Sequence, residues 1–263
     1  MNLSTAKFLI SIPHCSTHIP QELRQRMKFT DLHLKRETDI LTDQLFDLKE
    51  FPILKAVFSR YVVDLNRNRD AQGEKGVIVT TDFDNQPIYV TGEIPTPQER
   101  QERIEKYWLP YHQELEQKLK YPSVRFFMDA HSMRSVGSAK APDSGEERAD
   151  IVLSNLGTTT GNIRPEIGYL SCPWEWLLHA AEILEKLWRS HPIEIAFNDP
   201  YYGGYITQRY SNPNWRGYKQ GFQIEVNRKL YLDWETQEPL PHKITQFRQI
   251  FGEFLQPWSK WLS

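Results

Sequence analysis

Four short segments set histidines, carboxylates and arginines beside apolar runs: SIPHCSTHIP (11–20), SRYVVDLNRNRD (59–70), MDAHSM (128–133) and GFQIEVNR (221–228). Ionisable groups among β-branched and aromatic residues are costly to bury unless paired or bound to a metal, so their recurrence needs a cause. His14 follows the strand-like KFLISIP and His131 follows VRFFMDA, with Asp129 two residues earlier on the same side of that strand. A single histidine at a strand end reads as a polar group capped by a backbone carbonyl. Two of them, each directly after an apolar strand, can meet at one edge of a parallel sheet and offer imidazole nitrogens to zinc, which then needs a carboxylate and a water.

KRETDILTDQLFDL (35–48) is the best source of that carboxylate. Thr38 or Asp39 can head a helix there, where an acidic group is favoured in any case. Asp39 is the candidate third ligand and Glu37 its competitor. SRYVVDLNRNRD sets Arg60, Arg67 and Arg69 around an apolar middle. A guanidinium fork suits carboxylates and Asn66 adds an amide donor, so the segment reads either as a surface loop or as a carboxylate clamp with Asp64 buttressing one arginine. In GFQIEVNR, alternation puts Gln223, Glu225 and Asn227 on one face and Phe222, Ile224 and Val226 on the other. The polar face is either wet or the seat of a general base, because partial desolvation raises a carboxyl pKa toward working pH.

The elements that must position these groups alternate in type. Strand-like runs FLISI, ILKAVF, YVVDL, VRFFMDA, DIVLS, IEIAF and GFQIEV are interleaved with amphipathic stretches, which favours an α/β sheet with helices on both faces. The spacing of Ile104, Trp108, Tyr111, Leu115 and Leu119 predicts a helix from about Pro97 to Leu119, with Pro97 in its first turn. Further helices are expected over Trp174–Arg189 and His242–Trp261. Tyr107, Tyr111 and His112 fit the core of the first helix or a supporting role behind the site. Stretches 68–76, 82–97, 134–149, 155–173 and 198–221 read as loops, several of them directly after strands, where open α/β sheets place ligands.

The 263 residues are 39% hydrophobic and 25% charged, which suits one soluble domain. A formal net charge of −2 gives no basic field for nucleic acid or an anionic membrane. Cys15 and Cys172 form no C-x-x-C pair, so neither a disulfide framework nor a thiol zinc site is expected. No run approaches the roughly 18 apolar residues of a membrane span, and the amino terminus lacks a signal pattern. A soluble, cytoplasmic protein is expected.

With PH followed by a short Ser/Thr segment and IP, SRYVVDLNR, RIEKYWLPYH, DAHSM, NDPYYGGYIT and QIEVNRKLY together, the chain resembles the N-formylglutamate amidohydrolase family over nearly its whole length. The resemblance implies a phosphorylase/hydrolase-like, zinc-exopeptidase-like α/β fold, related to zinc carboxypeptidases and aspartoacylase. That is a mixed, largely parallel sheet flanked by helices, with residues 1–263 as one catalytic domain. It further implies one Zn2+ per chain, or another divalent ion, held by His14, Asp39 and His131. Glu225 becomes base to the water that zinc activates, Arg60 polarises the scissile carbonyl, and Asn66 with Arg67 holds the α-carboxylate. The wider zinc carboxypeptidase pattern puts its acidic ligand three residues after the first histidine. Thr17 stands there in this chain, so the carboxylate must come from the later ETD segment. NDPYYGGYITQRYS (198–211) is taken as a substrate-side loop, with Tyr205 and Arg209 as candidates for a side-chain carboxylate. The expected reaction is hydrolysis of the N-acyl amide of an acidic amino acid, N-formyl-L-glutamate first. A related N-acyl amino acid deacylase or carboxypeptidase, and a dicarboxylate-binding protein without chemistry, are the alternatives.

Overall fold

A computed structural model of the chain describes residues 7–49, 51–73, 76–189 and 192–261; positions 74–75 of the expected 68–76 loop lie outside them. Six strands, β1 (Phe8–Ile12), β2 (Ile53–Lys55), β3 (Phe126–Met133), β4 (Ile151–Ser154), β5 (Ile195–Phe197) and β6 (Gln220–Asn227), form one sheet in the order β2-β1-β3-β6-β4-β5. The strands β2, β1, β3 and β6 run parallel, while β4 pairs antiparallel with β6 and parallel with β5. This is the mixed, largely parallel sheet that the family resemblance implies, within the α/β class that the alternating pattern favours.

The helices α1 (Gln21–Arg24), α2 (Asp31–Arg36) and α3 (Thr42–Leu45) are short and lie between β1 and β2. The expected helix over 97–119 forms as α4 (Pro97–Arg103) and α5 (Leu109–Leu119), joined through a π turn at Ile104–Trp108. Thr96 and Glu99 close a capping box around Pro97 and fix the start. Pro110 lacks an N–H, and its ring would crowd the carbonyl four residues earlier; widening the ladder to a π turn accommodates it. Beyond β4 come α6 (Trp174–Leu187), α7 (Tyr205–Tyr210) and α8 (Pro241–Trp261). No described helix is long and apolar enough to cross a membrane.

Strand register sorts the side chains by chemistry. Phe8 pairs with Phe126, Ser11 with Asp129, Met128 with Phe222, and His131 with Glu225. Because successive side chains alternate, one face of the central strands carries Phe8, Ile10, Phe126, Met128, Phe222 and Ile224. The opposite face carries Ser11, Asp129, His131, Gln223 and Glu225. The apolar face packs toward α6, where Trp176 meets the Phe126 ring at 5.6 Å. The polar face meets α5, whose Tyr111 hydroxyl lies 2.9 Å from Ser11 Oγ. All eight residues of β3 are buried, and so is the stretch from Gly221 to Asn227 in β6. The polar face of β6 is therefore covered, not wet.

Three expectations about local structure fail. YVVDL (61–65) is buried but forms turns instead of a strand. The Asp64 carboxylate accepts from the backbone N–H of Asn66 and from Arg60, Val62 N–H donates to the Ser59 carbonyl, and Arg67 N–H to the Asp64 carbonyl. These local bonds compete with a sheet ladder and prevail. Thr38 and Asp39 head no helix: α2 starts at the cap Thr30 and ends at Arg36, and Asp39 sits in the turn before α3 with its N–H on the His14 carbonyl at 3.0 Å. The 198–221 loop contains α7.

Candidate active site

The turn after β1 and the far half of β3 bring His14 and His131 together, ring centroids 4.9 Å apart. Between them stands Asp39, whose Oδ2 lies 3.6 Å from His14 Nδ1 and 3.0 Å from His131 Nδ1. One ligand atom from each of the three lies within 4.8 Å of the others, and all three side chains are buried, so the group could hold a metal ion. The outer nitrogens are already committed: His14 Nε2 donates to Asp64 Oδ1 at 2.8 Å, and His131 Nε2 faces Asp129 Oδ2 at 3.2 Å. A carboxylate on the far nitrogen fixes the imidazole's orientation and leaves the near nitrogen for a cation. Two imidazoles and one carboxylate are a donor set that suits zinc.

Each group has a charge state set by its neighbours. Burial alone would raise the Asp39 carboxyl, but hydrogen bonds from His131 and His14 outweigh it and hold the pKa well below the usual range. For His131, burial favours the neutral ring, while Asp129, Asp39 and Glu225 together lift its pKa well above the ordinary value. Behind Asp39 lies the fully buried Arg228, whose Nη2 is 3.4 Å from Asp39 Oδ1 and whose Nη1 donates to the Arg36 carbonyl at 2.8 Å.

Asp64 organises the basic side. Its carboxylate accepts from Arg60 Nη2 at 2.6 Å and pairs with Arg67 Nε at 3.2 Å besides holding His14. Burial pushes this carboxyl up, yet Arg60, His14 and Arg67 carry it well below the usual range. Arg60 lies over the Phe83 ring at 4.7 Å, and its Nε has no hydrogen-bond partner. Asn66 donates from Nδ2 to Asp129 Oδ2 at 3.1 Å and accepts at Oδ1 from the backbone N–H of Ile206 at 2.7 Å.

Glu225 stands across the strand pairing from His131. Burial drives its carboxyl up to about 7; Asp39 adds to the rise, and His131, His14 and Arg148 oppose it. Gln223 Nε2 donates to Glu225 Oε1 at 2.9 Å, and its own carbonyl accepts from the N–H of Gly204 at 2.7 Å. A buried carboxyl poised near neutrality is suited to proton transfer.

His14, Asp39, Arg60, Asn66, Arg67, His131 and Glu225 all line one cavity of about 390 Å³. The arginines Arg60, Arg67, Arg134, Arg148 and Arg228 outnumber the carboxylates Asp39, Asp64 and Glu225 in its wall, so the chamber favours an anion although the whole chain is slightly acidic. Tyr205 and Arg209 are not in that wall. Tyr205 packs among Trp108 and His112, and Arg209 is exposed beside Tyr210. Tyr201, Tyr202, Gly203 and Gly204 supply the wall instead, because the chain turns into α7 at Tyr205 and carries the rest of the segment away. Glu37 is not beside the histidines either. It is fully buried, taking the Tyr61 hydroxyl at 2.5 Å, the Phe83 N–H at 2.8 Å and Arg134. Arg134, Arg148 and Arg228 escape a reading by sequence, while Gln223 is placed by alternation beside Glu225 but given no role there. Of the three arginines only Arg228 carries a signal, since an Asn-Arg pair spans the end of β6 as another follows YVVDL in DLNR.

Residues 6–232 match the family model described as N-formylglutamate amidohydrolase. An N-formylglutamate deformylase from Pseudomonas aeruginosa is 29% identical over 279 residues, spanning 96% of this chain and 92% of the relative. Another, from Pseudomonas putida, is 27% identical over 252 residues, with 89% and 84% covered. The solved structure of an N-formylglutamate amidohydrolase from Ralstonia eutropha superposes with a TM-score of 0.75 at 21% identity, covering 98% of this chain and 94% of that one. A gene product of Agrobacterium tumefaciens does so at 0.64 and 15% identity, over 98% and 94%. The two solved structures share the fold.

Proposed function

This chain belongs to the N-formylglutamate amidohydrolase family, and from that premise we propose that it works as one catalytic domain, hydrolysing the amide of N-formyl-L-glutamate to formate and L-glutamate with one divalent cation, zinc first, per chain. The observation that carries the reading is the convergence of both histidine Nδ1 atoms on Asp39 Oδ2, with Glu225 across the strand from His131. His14, Asp39 and His131 would hold the cation, which when bound supplies Lewis acidity to water and to the carbonyl.

The chain's own groups supply the rest. Asn66 and Arg67 hold the α-carboxylate, which fixes the scissile amide relative to Glu225. Glu225 accepts the proton of the attacking water and returns it to the leaving nitrogen. Arg60, whose Nε is unpartnered in the protein, meets the oxyanion that develops on the former carbonyl oxygen. A dicarboxylate-binding role leaves unused the placing of Glu225 across the strand from His131 and the His14–Asp39–His131 group.

The test is formate release from N-formyl-L-glutamate with metal content measured on the same sample. One tightly bound divalent ion per chain is expected, with activity lost to a chelator and regained with zinc. His14→Ala and His131→Ala should each lose the ion while staying folded. Full activity in a chelated, metal-free sample would overturn the reading.

A further inference from the structure

The arginines of the cavity wall differ in what is left for a second carboxylate. Arg60 and Arg67 share Asp64 and are already assigned to the scissile carbonyl and the α-carboxylate. Arg228 is buried behind Asp39, and Arg134 bridges Glu37 and Asp84. Arg148 is different. Asp143 takes its Nε at 2.7 Å and its Nη2 at 2.9 Å, while Nη1 makes a 3.4 Å contact with the Arg134 carbonyl. A guanidinium has five N–H groups in one plane, and pairing through Nε and Nη2 uses one edge only. The Nη1–Nη2 edge keeps the geometry that suits a second carboxylate.

The side chain is also held in advance. It is 2% exposed, it lies 5.0 Å from the centre of the Tyr201 ring, and its backbone is tied on both sides, N–H to the Ser135 carbonyl at 2.9 Å and carbonyl to Asn227 Nδ2 at 3.1 Å. Little freedom is left to lose when a ligand arrives, which favours selective binding. Arg148 lines the same chamber as Asn66, Arg67 and Glu225.

We infer that Arg148 selects an acidic side chain, its Nη1–Nη2 edge taking the distal carboxylate of the substrate while Asn66 and Arg67 take the α-carboxylate. The inference rests on the hydrolytic reading above for its substrate, and it moves the side-chain subsite from Arg209 to the 134–149 loop. It makes the enzyme selective for N-acyl dicarboxylic amino acids over their neutral isosteres.

The experiment compares N-formyl-L-glutamate with N-formyl-L-glutamine in wild type, Arg148→Met and Arg148→Lys, and in parallel measures binding of L-glutamate and L-glutamine. Losing a forked, charge-assisted pair should lower kcat/KM for the glutamate substrate by about 10- to 100-fold in Arg148→Met. The glutamine substrate should change by less than a few-fold and so reports that the variant is folded. Arg148→Lys keeps the cation beside Asp143 without the fork and should fall between. An unchanged glutamate-to-glutamine ratio, or an equal fall for both substrates, overturns the inference. If the wild type releases no formate from either substrate, the hydrolytic reading fails by itself. The subsite is then judged by L-glutamate alone: an approximately tenfold or greater weakening in Arg148→Met sustains it, and unaltered binding refutes it.

Discussion

Glu225 is asked both to stay buried and to carry charge, and the two demands conflict. Its carboxyl ordinarily titrates at 4.5 and is held up at about 7 in the fold, chiefly by burial. Between those values the folded chain keeps a proton that the unfolded chain has released, so stability falls as pH rises through the window and the loss is complete above about 7. At about 1.4 kcal/mol per unit of raised pKa, metal-free Glu225→Gln should be more stable than metal-free wild type at pH 8, and nearly equal to it at pH 4.5. Urea midpoints at the two pH values check this, and equal midpoints at pH 8 would mean that the carboxylate is not desolvated. With the proposed ion bound, the same change should cut kcat by about 10²- to 10⁴-fold with the ion retained, the usual worth of a positioned acid–base group. Alternation along GFQIEVNR suffices to place Glu225 on the polar face, and two histidines closing two apolar runs suffice to pair them, although His131 still lies within β3. What alternation does not carry is burial of that face, which depends on the segments packed over it, among them the chain ahead of α7, whose Gly204 N–H donates to Gln223. Nor does it separate Arg148 from Arg209, because their fates are set by where α7 starts and by Asp143, five residues before Arg148.

Among the elements, α5 does most to brace the site from behind. Tyr111 reaches Ser11, which donates to Asp129 Oδ1 at 3.3 Å, and His112 stacks on Trp108 with ring centroids 3.7 Å apart. His112 Nε2 faces the Leu65 carbonyl at 2.9 Å, and a carbonyl only accepts, so the proton is on Nε2 and Nδ1 takes the Tyr210 hydroxyl. Burial pushes this ring down from 6.5 to about 3, against the hydrogen bond to Leu65. Between those values the unfolded chain binds a proton that the folded chain refuses, so stability drops as pH falls, by about 1.4 kcal/mol per pH unit. Going from pH 7 to pH 5 should cost about 2 kcal/mol through this residue alone. Comparing urea unfolding of wild type and His112→Gln at the two pH values isolates that part, and an unchanged pH slope in the variant would refute the assignment. The helix is legible because its apolar spacing and the Thr96–Pro97–Glu99 start are local signals. The π turn is not, since apolar spacing survives one extra residue in the ladder. YVVDL reads as a strand for the same reason that it is buried. Its turns are set by the carboxylate of Asp64, which takes Arg60 and the Asn66 N–H locally and also His14, which only the tertiary fold brings to it.

Across the whole molecule, the parallel strands β2, β1, β3 and β6 form one wing of the sheet and β4 with β5 the other, and segments from both wings line the cavity. One place where they meet is Asn66, on the DLNR turn, against Gly204, on the segment leaving β5. A side-chain carbon at Gly204 would lie 2.2 Å from Asn66 Nδ2, a distance at which one of the two must move. The Gly204 backbone has φ −89°, so alanine meets no backbone penalty there. The residue is required for the space it leaves. Gly204→Ala should therefore push Asn66 off Asp129 and off the Ile206 N–H, at a stability cost of about 1–3 kcal/mol from overpacking. If Asn66 holds the α-carboxylate, the variant should raise KM more than it lowers kcat, since that grip is made with substrate and transition state alike. Gly252→Ala is the matched control: it lies in α8 with nothing within 4 Å of the added carbon, and alanine in a helix interior should stabilise by about 0.5–1 kcal/mol with no effect on turnover. Kinetics and melting curves on the two variants decide the point. Wild-type KM in a folded Gly204→Ala protein would show that Asn66 does not touch the substrate and that the two wings meet there for packing alone.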